Sequence, residues 1–183
     1  GNSANDLGGG IWNHSSSKLI SNNSTVSNNT ANSGGGIYSE SGAVTLKNSI
    51  IAGNTAGNCA DCMGAIGSAG YNLIGDTSGC SFTPGTGDLT NVNARLGRLI
   101  GAPGKPKYHP LLSGAPAIDA GDPAGCTGST GPLPTDQRGV PRVGRCDIGA
   151  YEYTPPGPPT SVHAFAGTPQ HTTPSSAFRE PLQ

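Results

Sequence analysis

Short apolar segments separated by Gly- and Asn-rich turns recur along the first half of the chain. The segment GGGIW at residues 8–12 returns as GGGIY at 34–38. The segment NSTVSNNTA at 23–31 returns as NSIIAGNTA at 48–56, at nearly the same offset. Because order and spacing hold within one residue across a whole unit, the pattern indicates a repeat architecture.

Each unit contains three short strand-like segments, and strands of this length are unstable as isolated hairpins. Stacked about 4.8 Å apart, successive units bury a continuous column of Ile, Leu and Val. A weaker third unit at residues 68–79 places Leu73-Ile74 where Ile50-Ile51 stand in the second. The pattern therefore predicts an all-β parallel β-helix of about three coils, each of about 25 residues. Its first two units are expected to form strands at 11–12, 18–21, 24–27, 37–38, 43–46 and 49–52.

Asparagine is concentrated at the corners of these units, with eleven residues among the first 58. Its side chain tolerates the left-handed backbone region and bonds locally to the main chain. Equivalent Asn side chains in a stack can also form amide ladders. Ordered corners are therefore predicted, rather than a disordered polar tract.

The pattern divides the chain into three parts. Residues 1–87 are predicted to form the β-helix coils, and residues 88–153 the C-terminal end of the β-helix with a disulfide-stapled irregular cap that covers the end of the stack. Two small apolar strands are expected in that segment, at 117–118 and 148–151. Residues 154–183 are rich in Pro, Thr and Ser, which is typical of a linker or tail.

Composition and charge exclude two classes of partner. The chain has 183 residues, 30 Gly, 16 Pro and a net charge of −1. A near-neutral chain lacks the basic footprint of a nucleic-acid-binding protein. No apolar run approaches the roughly 20 residues of a transmembrane helix.

Five cysteines lie in Gly-rich loops, an arrangement typical of secreted proteins. The motif CADC at 59–62 has the spacing of a redox or zinc pair, but no second pair and no strand-to-helix context accompany it. Either Cys62 or Cys59 is therefore expected to bridge to Cys80. Cys126 is expected to bridge to Cys146, and the odd count leaves one thiol unpaired.

A charged cluster occupies the last third of the chain, and three interpretations apply to it. The structural interpretation is favoured: Arg138 pairs with a carboxylate such as Asp119 or Asp147, and together with Glu152 it clamps the cap. The second is a Ca²⁺ site, which is the single cofactor suggested by the sequence. The third is a paired acid and base for glycoside cleavage. The calcium candidates are Asp119, Asp122, Asp136 and Asp147.

Trp12 and Tyr38 occupy equivalent positions one repeat apart, each directly after an Ile. Alternation along a strand places the Ile inside and the aromatic ring outside. The two rings are therefore expected on the outer wall, where they either contact a glycan or simply stack across the coils.

Four segments occur in order along the chain: GGGIYSESGAVTLKNSIIAGNTA, SAGYNLIGDTSGCSF, LLSGAPAIDAGD and TDQRGVPRVGRCDIGAYEY. Together they resemble the C-terminal part of bacterial secreted right-handed parallel β-helix proteins of the choice-of-anchor Q type, over roughly residues 8–153. The resemblance implies an extracellular or cell-surface protein, joined through linkers to further modules. It also implies the disulfides Cys62–Cys80 and Cys126–Cys146, with Cys59 free.

The function expected from these features is a non-catalytic structural or adhesive module that contacts glycans or other matrix components. Two alternatives remain open. One is the C-terminal part of a polysaccharide lyase or glycosidase, and the other is a fibre subunit that associates through the open N-terminal edge of the first coil.

Overall fold

The computed structural model describes residues 1–157, which contain strands, turns and bends but no helix. No helix in this range is therefore available to cross a membrane. The strands are short and numbered along the chain: β1 (Ile11–Asn13), β2 (Lys18–Asn22), β3 (Thr25–Val26), β4 (Thr30–Ser33), β5 (Ile37–Ser39), β6 (Ala43–Lys47), β7 (Ile50–Ile51), β8 (Thr55–Asn58), β9 (Cys62–Ser68), β10 (Leu73–Ile74), β11 (Cys80–Phe82), β12 (Leu89–Thr90), β13 (Thr127–Gly128) and β14 (Gly131–Pro132).

Equivalent strands of the repeat pair in parallel, in the register that the repeat predicts. Ile11 lies opposite Ile37, and Trp12 lies opposite Tyr38. Strand β2 pairs with β6, β3 with β7, and β4 with β8, so that each residue faces its equivalent in the next unit. The third unit is also confirmed, because β10 pairs with β7 and places Leu73-Ile74 opposite Ile50-Ile51.

Strand β9 joins two neighbouring sheets. Its first residues pair with β5, and its last residues pair with β6. The result is a partly curled sheet of order β1-β5-β9-β6-β2, to which β11 adds beside β9. A second sheet has the order β12-β10-β7-β3. The stack therefore continues to β12 at residues 89–90.

Asparagine corners and ladders are confirmed at equivalent positions. Asn23 and Asn48 both have a left-handed backbone, with φ of 48° in each case. The amide of Asn29 donates to Oδ1 of Asn54 over 3.0 Å, one repeat away. Since both residues are buried, the ladder satisfies polar groups that water does not reach.

Consecutive apolar residues in β7 and β10 enter two different cores. Ile51 and Ile74 pack between the sheets with Ile37 and Leu46. Their neighbours Ile50 and Leu73 point to the opposite face, where they pack in a second core against the C-terminal segment. The second core also contains Ala94, Leu111, Ala115, Ala117 and Ile148.

The C-terminal segment therefore covers a side of the β12-β10-β7-β3 sheet, rather than only the end of the stack as predicted. The N–H of Gly149 donates to the carbonyl of Asn48 over 2.7 Å. The N–H of Ala150 donates to the hydroxyl of Thr25 over 3.1 Å. These contacts place the segment along β3 and along the turn that precedes β7.

The prediction of two strands in the C-terminal segment is wrong. Residues 117–118 lie in a turn and residues 148–151 in a bend and extended chain. Ala117 and Ile148 are nevertheless completely buried, and the N–H of Ile148 donates to the carbonyl of Ala117 over 2.9 Å. Apolar character predicted burial correctly here, but the Gly and Pro neighbours favour turns over strands.

Residues Gly1–Tyr153 form one compact unit. Within the predicted tail, residues 154–157 carry no regular structure, and residues 158–183 lie outside the described part of the chain.

Candidate functional site

A buried ion pair between Arg142 and Glu152 holds the C-terminal segment together. The Nη1 atom of Arg142 lies 3.1 Å from Oε2 of Glu152, and both side chains are almost completely buried. The Glu152 carboxylate also accepts hydrogen bonds from the N–H groups of Val143 and Asp147. Arg142 donates further to the carbonyls of Asp147 and Gly149. Glu152 thus joins several parts of the segment, and its charged partner is Arg142.

Arg138 clamps the same segment through a different carboxylate. Its Nη2 atom lies 2.7 Å from Oδ2 of Asp136 and donates to the backbone carbonyl of Glu152 over 2.6 Å. Its guanidinium lies 3.7 Å from the centre of the Tyr151 ring, within cation–π range. Burial alone would raise the pKa of Asp136, but hydrogen bonds from the Glu152 N–H and from Arg138 lower that pKa below its usual value.

The prediction that Arg138 pairs with Asp119 or Asp147 is therefore wrong. Asp136 lies two residues before Arg138, and its Oδ1 accepts the N–H groups of Arg138 and Val140. This local turn places the Asp136 carboxylate beside the Arg138 guanidinium. An aspartate farther along the chain would have to cross the segment to reach the same guanidinium.

Asp147 is 1% exposed and pairs with backbone groups instead of an arginine side chain. Its Oδ1 accepts the N–H of Asp119 over 2.7 Å, and its Oδ2 accepts the N–H of Tyr153. Burial raises the pKa of Asp147 to about 6, and the nearby Glu152 carboxylate acts in the same direction.

The four aspartates proposed for calcium have separate partners. Asp122 forms an ion pair of 2.9 Å with Lys47, which lies at the end of β6. Asp136 pairs with Arg138, while Asp147 binds backbone groups, one of them the N–H of Asp119. Among residues 1–157, no group of three or more His, Cys, Asp or Glu side chains is placed to hold a metal ion. The geometry gives the calcium interpretation no support.

The burial of three carboxylates in this cluster argues against the interpretation of the cluster as a catalytic acid and base. Asp136, Asp147 and Glu152 are 5% exposed or less, and each already accepts at least two hydrogen bonds. A general acid or base must come within hydrogen-bond reach of the substrate. The arrangement of these three carboxylates therefore fits a clamp.

Trp12 and Tyr38 lie side by side on the outer face of β1 and β5. Trp12 is 52% exposed and Tyr38 is half-buried, whereas Ile37 beside them is completely buried. Met63 of β9 continues the row, directly opposite Tyr38. The ring of Trp12 packs edge-on against His14, with 5.3 Å between ring centres, so its outer face stays accessible.

The structure has the same cysteine pairing that the resemblance implies. Cys62 is bonded to Cys80, which links β9 to β11. Cys126 is bonded to Cys146 within the C-terminal segment. Cys59 is a free, half-buried thiol. Two disulfides are typical of proteins from oxidising compartments.

A polar groove beside the repeat strands was missed by the sequence analysis. It has a volume of about 460 Å³, and two carboxylates, Asp61 and Asp76, contribute to its lining. Burial raises the pKa of Asp61, although the N–H and the amide of Asn54 both donate to Oδ1 over 2.9 Å. Asp61 lies inside the CADC motif, which was interpreted for its cysteines alone. The signal that could have revealed the groove is the ladder of Asn29 and Asn54, because Asn54 donates its next hydrogen bond to the carboxylate of Asp61.

Comparisons with protein-family models, with curated proteins and with solved structures find no match for this chain in any of the three.

Proposed function

We propose that this chain is a non-catalytic module of an extracellular or cell-surface protein, folded as a right-handed parallel β-helix, whose outer aromatic row contacts glycans. The module is proposed to belong to the choice-of-anchor Q type that the sequence resembles. The observation that carries the glycan contact is the outer row of the exposed Trp12 and the half-buried Tyr38 and Met63, aligned across three parallel strands.

The fold part of the proposal rests on the pairing pattern. Parallel strands that pair one repeat apart require the chain to make a complete circuit between the paired strands. The strand β9 bends from one sheet into the next, as a strand at the corner of a β-helix would. Apolar side chains from both sheets fill the space between them.

The non-catalytic part rests on the state of the carboxylates. Asp136, Asp147 and Glu152 of the C-terminal segment are buried and already hydrogen-bonded, so they stabilise the segment. The outer row, in contrast, presents apolar and aromatic surface to solvent. Aromatic faces bind the C–H faces of sugar rings, and the neighbouring His14 and Glu40 can hydrogen-bond the hydroxyl groups of a sugar.

Polysaccharide binding tests this proposal directly, because Trp12 is the single tryptophan of the chain and its fluorescence reports on the row. A panel of neutral and acidic polysaccharides is titrated into the protein. We expect at least one to shift the emission, and we expect Trp12→Phe to retain binding measured by calorimetry. Trp12→Ala should weaken that binding about tenfold or more, which corresponds to about 1.4 kcal/mol.

Ile20→Ala is the matched control, because Ile20 is also 52% exposed but lies on β2, outside the row. Equal affinity in the Trp12→Ala variant and the wild type would refute the glycan contact, as would the absence of binding across the panel.

The groove lined by Asp61 and Asp76 favours a second candidate function, the cleavage of a polysaccharide. A raised pKa on one of two neighbouring carboxylates is the pattern of an acid and a base. Incubation with the same panel, followed by assay of reducing ends and unsaturated products, tests it. Turnover that is lost in both Asp61→Asn and Asp76→Asn would replace the non-catalytic proposal with this one.

A further inference from the structure

The CADC motif places a free thiol beside a disulfide. Cys59 is free and half-buried, and Cys62, three residues later, is bonded to Cys80. Cys62 is 1% exposed, whereas Cys80 is only half-buried. One sulfur of the disulfide is therefore closed to solvent and the other is partly open.

Close contact brings the thiol of Cys59 against Gly79, the residue before Cys80. Cys59 has a left-handed backbone, with φ of 58°. A side chain added at Gly79 would overlap both Cβ and Sγ of Cys59. The free sulfur therefore lies against Gly79, one residue from Cys80, in space that exists because residue 79 has no side chain.

We propose that Cys59, Cys62 and Cys80 form a thiol–disulfide exchange site. The thiolate of Cys59 attacks Sγ of Cys80, a Cys59–Cys80 bond forms, and the Cys62–Cys80 bond breaks. The sulfur of Cys62 leaves as a thiolate and takes a proton from water, while the proton of Cys59 goes to water at the start. The step is an isomerisation, so it needs no external oxidant or reductant.

The surroundings of Cys62 set the direction of this equilibrium. Cys62 packs in the core with Ile37, Ile51 and Ile74, where a thiol is inert and an ionised sulfur is poorly solvated. The Cys62–Cys80 isomer is therefore the major form. The Cys59–Cys80 isomer is a minor form that releases β11 from the interior of β9 and ties it to the turn at residue 59.

Cleavage before aspartate separates the three cysteines, because Asp61 lies between Cys59 and Cys62, and Asp76 lies between Cys62 and Cys80. The oxidised protein is held at pH 8 with iodoacetamide, quenched with acid, digested with a protease that cleaves before Asp, and analysed by mass spectrometry. Each molecule carries one free thiol, and alkylating that thiol ends the exchange, so the two labelled forms arise in parallel. We expect label on the peptide of Cys59 in most molecules and, at every iodoacetamide concentration, label on the peptide of Cys62 together with a Cys59–Cys80 linked peptide in a smaller fraction. Label confined to Cys59 throughout would overturn the proposal.

Two variants complete the test. Cys62→Ser, oxidised in a glutathione buffer, should contain the Cys59–Cys80 bond and lose the one labelled thiol of the wild type. Cys59→Ser should keep the Cys62–Cys80 bond and show no exchange. The Cys126–Cys146 bond and the circular dichroism spectrum report that each variant is folded. A folded Cys62→Ser protein with free thiols at both Cys59 and Cys80 would also overturn the proposal.

Discussion

Asp147 makes the stability of the C-terminal segment depend on pH in the direction opposite to most carboxylates. Its pKa is about 6 in the folded protein, compared with an ordinary value of 3.8. Because the folded pKa is the higher one, the folded state binds the proton more tightly than the unfolded state. The stabilisation is complete below pH 3.8 and is lost as the pH rises through 6.

The magnitude follows from the difference between these two pKa values. At 1.36 kcal/mol for each pH unit, the difference corresponds to about 3 kcal/mol of unfolding free energy lost between acidic and neutral pH. The Asp147 side chain is almost completely buried, so solvent screening reduces this figure little. Asp147→Asn removes the titration while retaining the shape of the side chain.

The assay is urea unfolding at pH values from 4 to 7.5, followed by circular dichroism with both disulfides intact. The unfolding free energy of the wild type should fall by about 2 kcal/mol more over this range than that of Asp147→Asn, because part of the total effect is already lost at pH 4, just above the ordinary pKa of 3.8. Contributions from other groups, such as Asp61, cancel in the comparison. Asp6→Asn is the control, since Asp6 is exposed and its removal changes the net charge equally. Parallel profiles for Asp147→Asn and the wild type would refute the desolvation argument.

Two further substitutions test how the C-terminal segment is held. Arg142→Ala should lower the unfolding free energy by about 3–5 kcal/mol, because it leaves the buried Glu152 carboxylate without its cation. Arg138→Ala should cost less, since the Arg138 side chain is 18% exposed, and the reverse order in chemical denaturation would contradict this account. Gly149→Ala should destabilise by more than about 1 kcal/mol, because φ is 99° and the new Cβ would lie 2.8 Å from Cδ1 of Ile50. Gly144→Ala is the control, because Gly144 has a φ of 69° but open space around it. Its loss of stability measures the backbone strain alone, without a collision of the new Cβ.

The repeat half of the fold was predictable because its information is local and periodic. The offset between GGGIW and GGGIY fixes which residues pair, and Trp12 accordingly lies opposite Tyr38. Positive φ angles at Asn23 and Asn48 follow from the tolerance of asparagine for that region. Strand β12 was not predicted individually because no GGGI segment precedes Leu89-Thr90, although it continues the stack beside β10.

The clamp partners were not predictable in the same way. Arg138 had several carboxylates within a short stretch of turns, and no periodicity indicates which of them a loop brings near. The local Asp136 turn explains the pairing, since the N–H groups of Arg138 and Val140 hold the Asp136 carboxylate next to Arg138. The polar groove was missed for a related reason: Asp61 and Val92 belong to different parts of the chain, and no periodicity indicates that both line one groove.

That return has a signal in the sequence, in the doubled apolar residues of β7 and β10. A strand with one buried face shows alternation, whereas Ile50-Ile51 and Leu73-Ile74 are apolar at consecutive positions and completely or almost completely buried. Consecutive burial demands a second layer on the outer face, and residues 94–148 supply it. The repeat half therefore cannot bury its own apolar residues, and a division at residue 87 separates two parts of one folding unit rather than two domains. In this protein the segment after the repeats completes the second core, and its buried ion pairs hold it in place against the sheet.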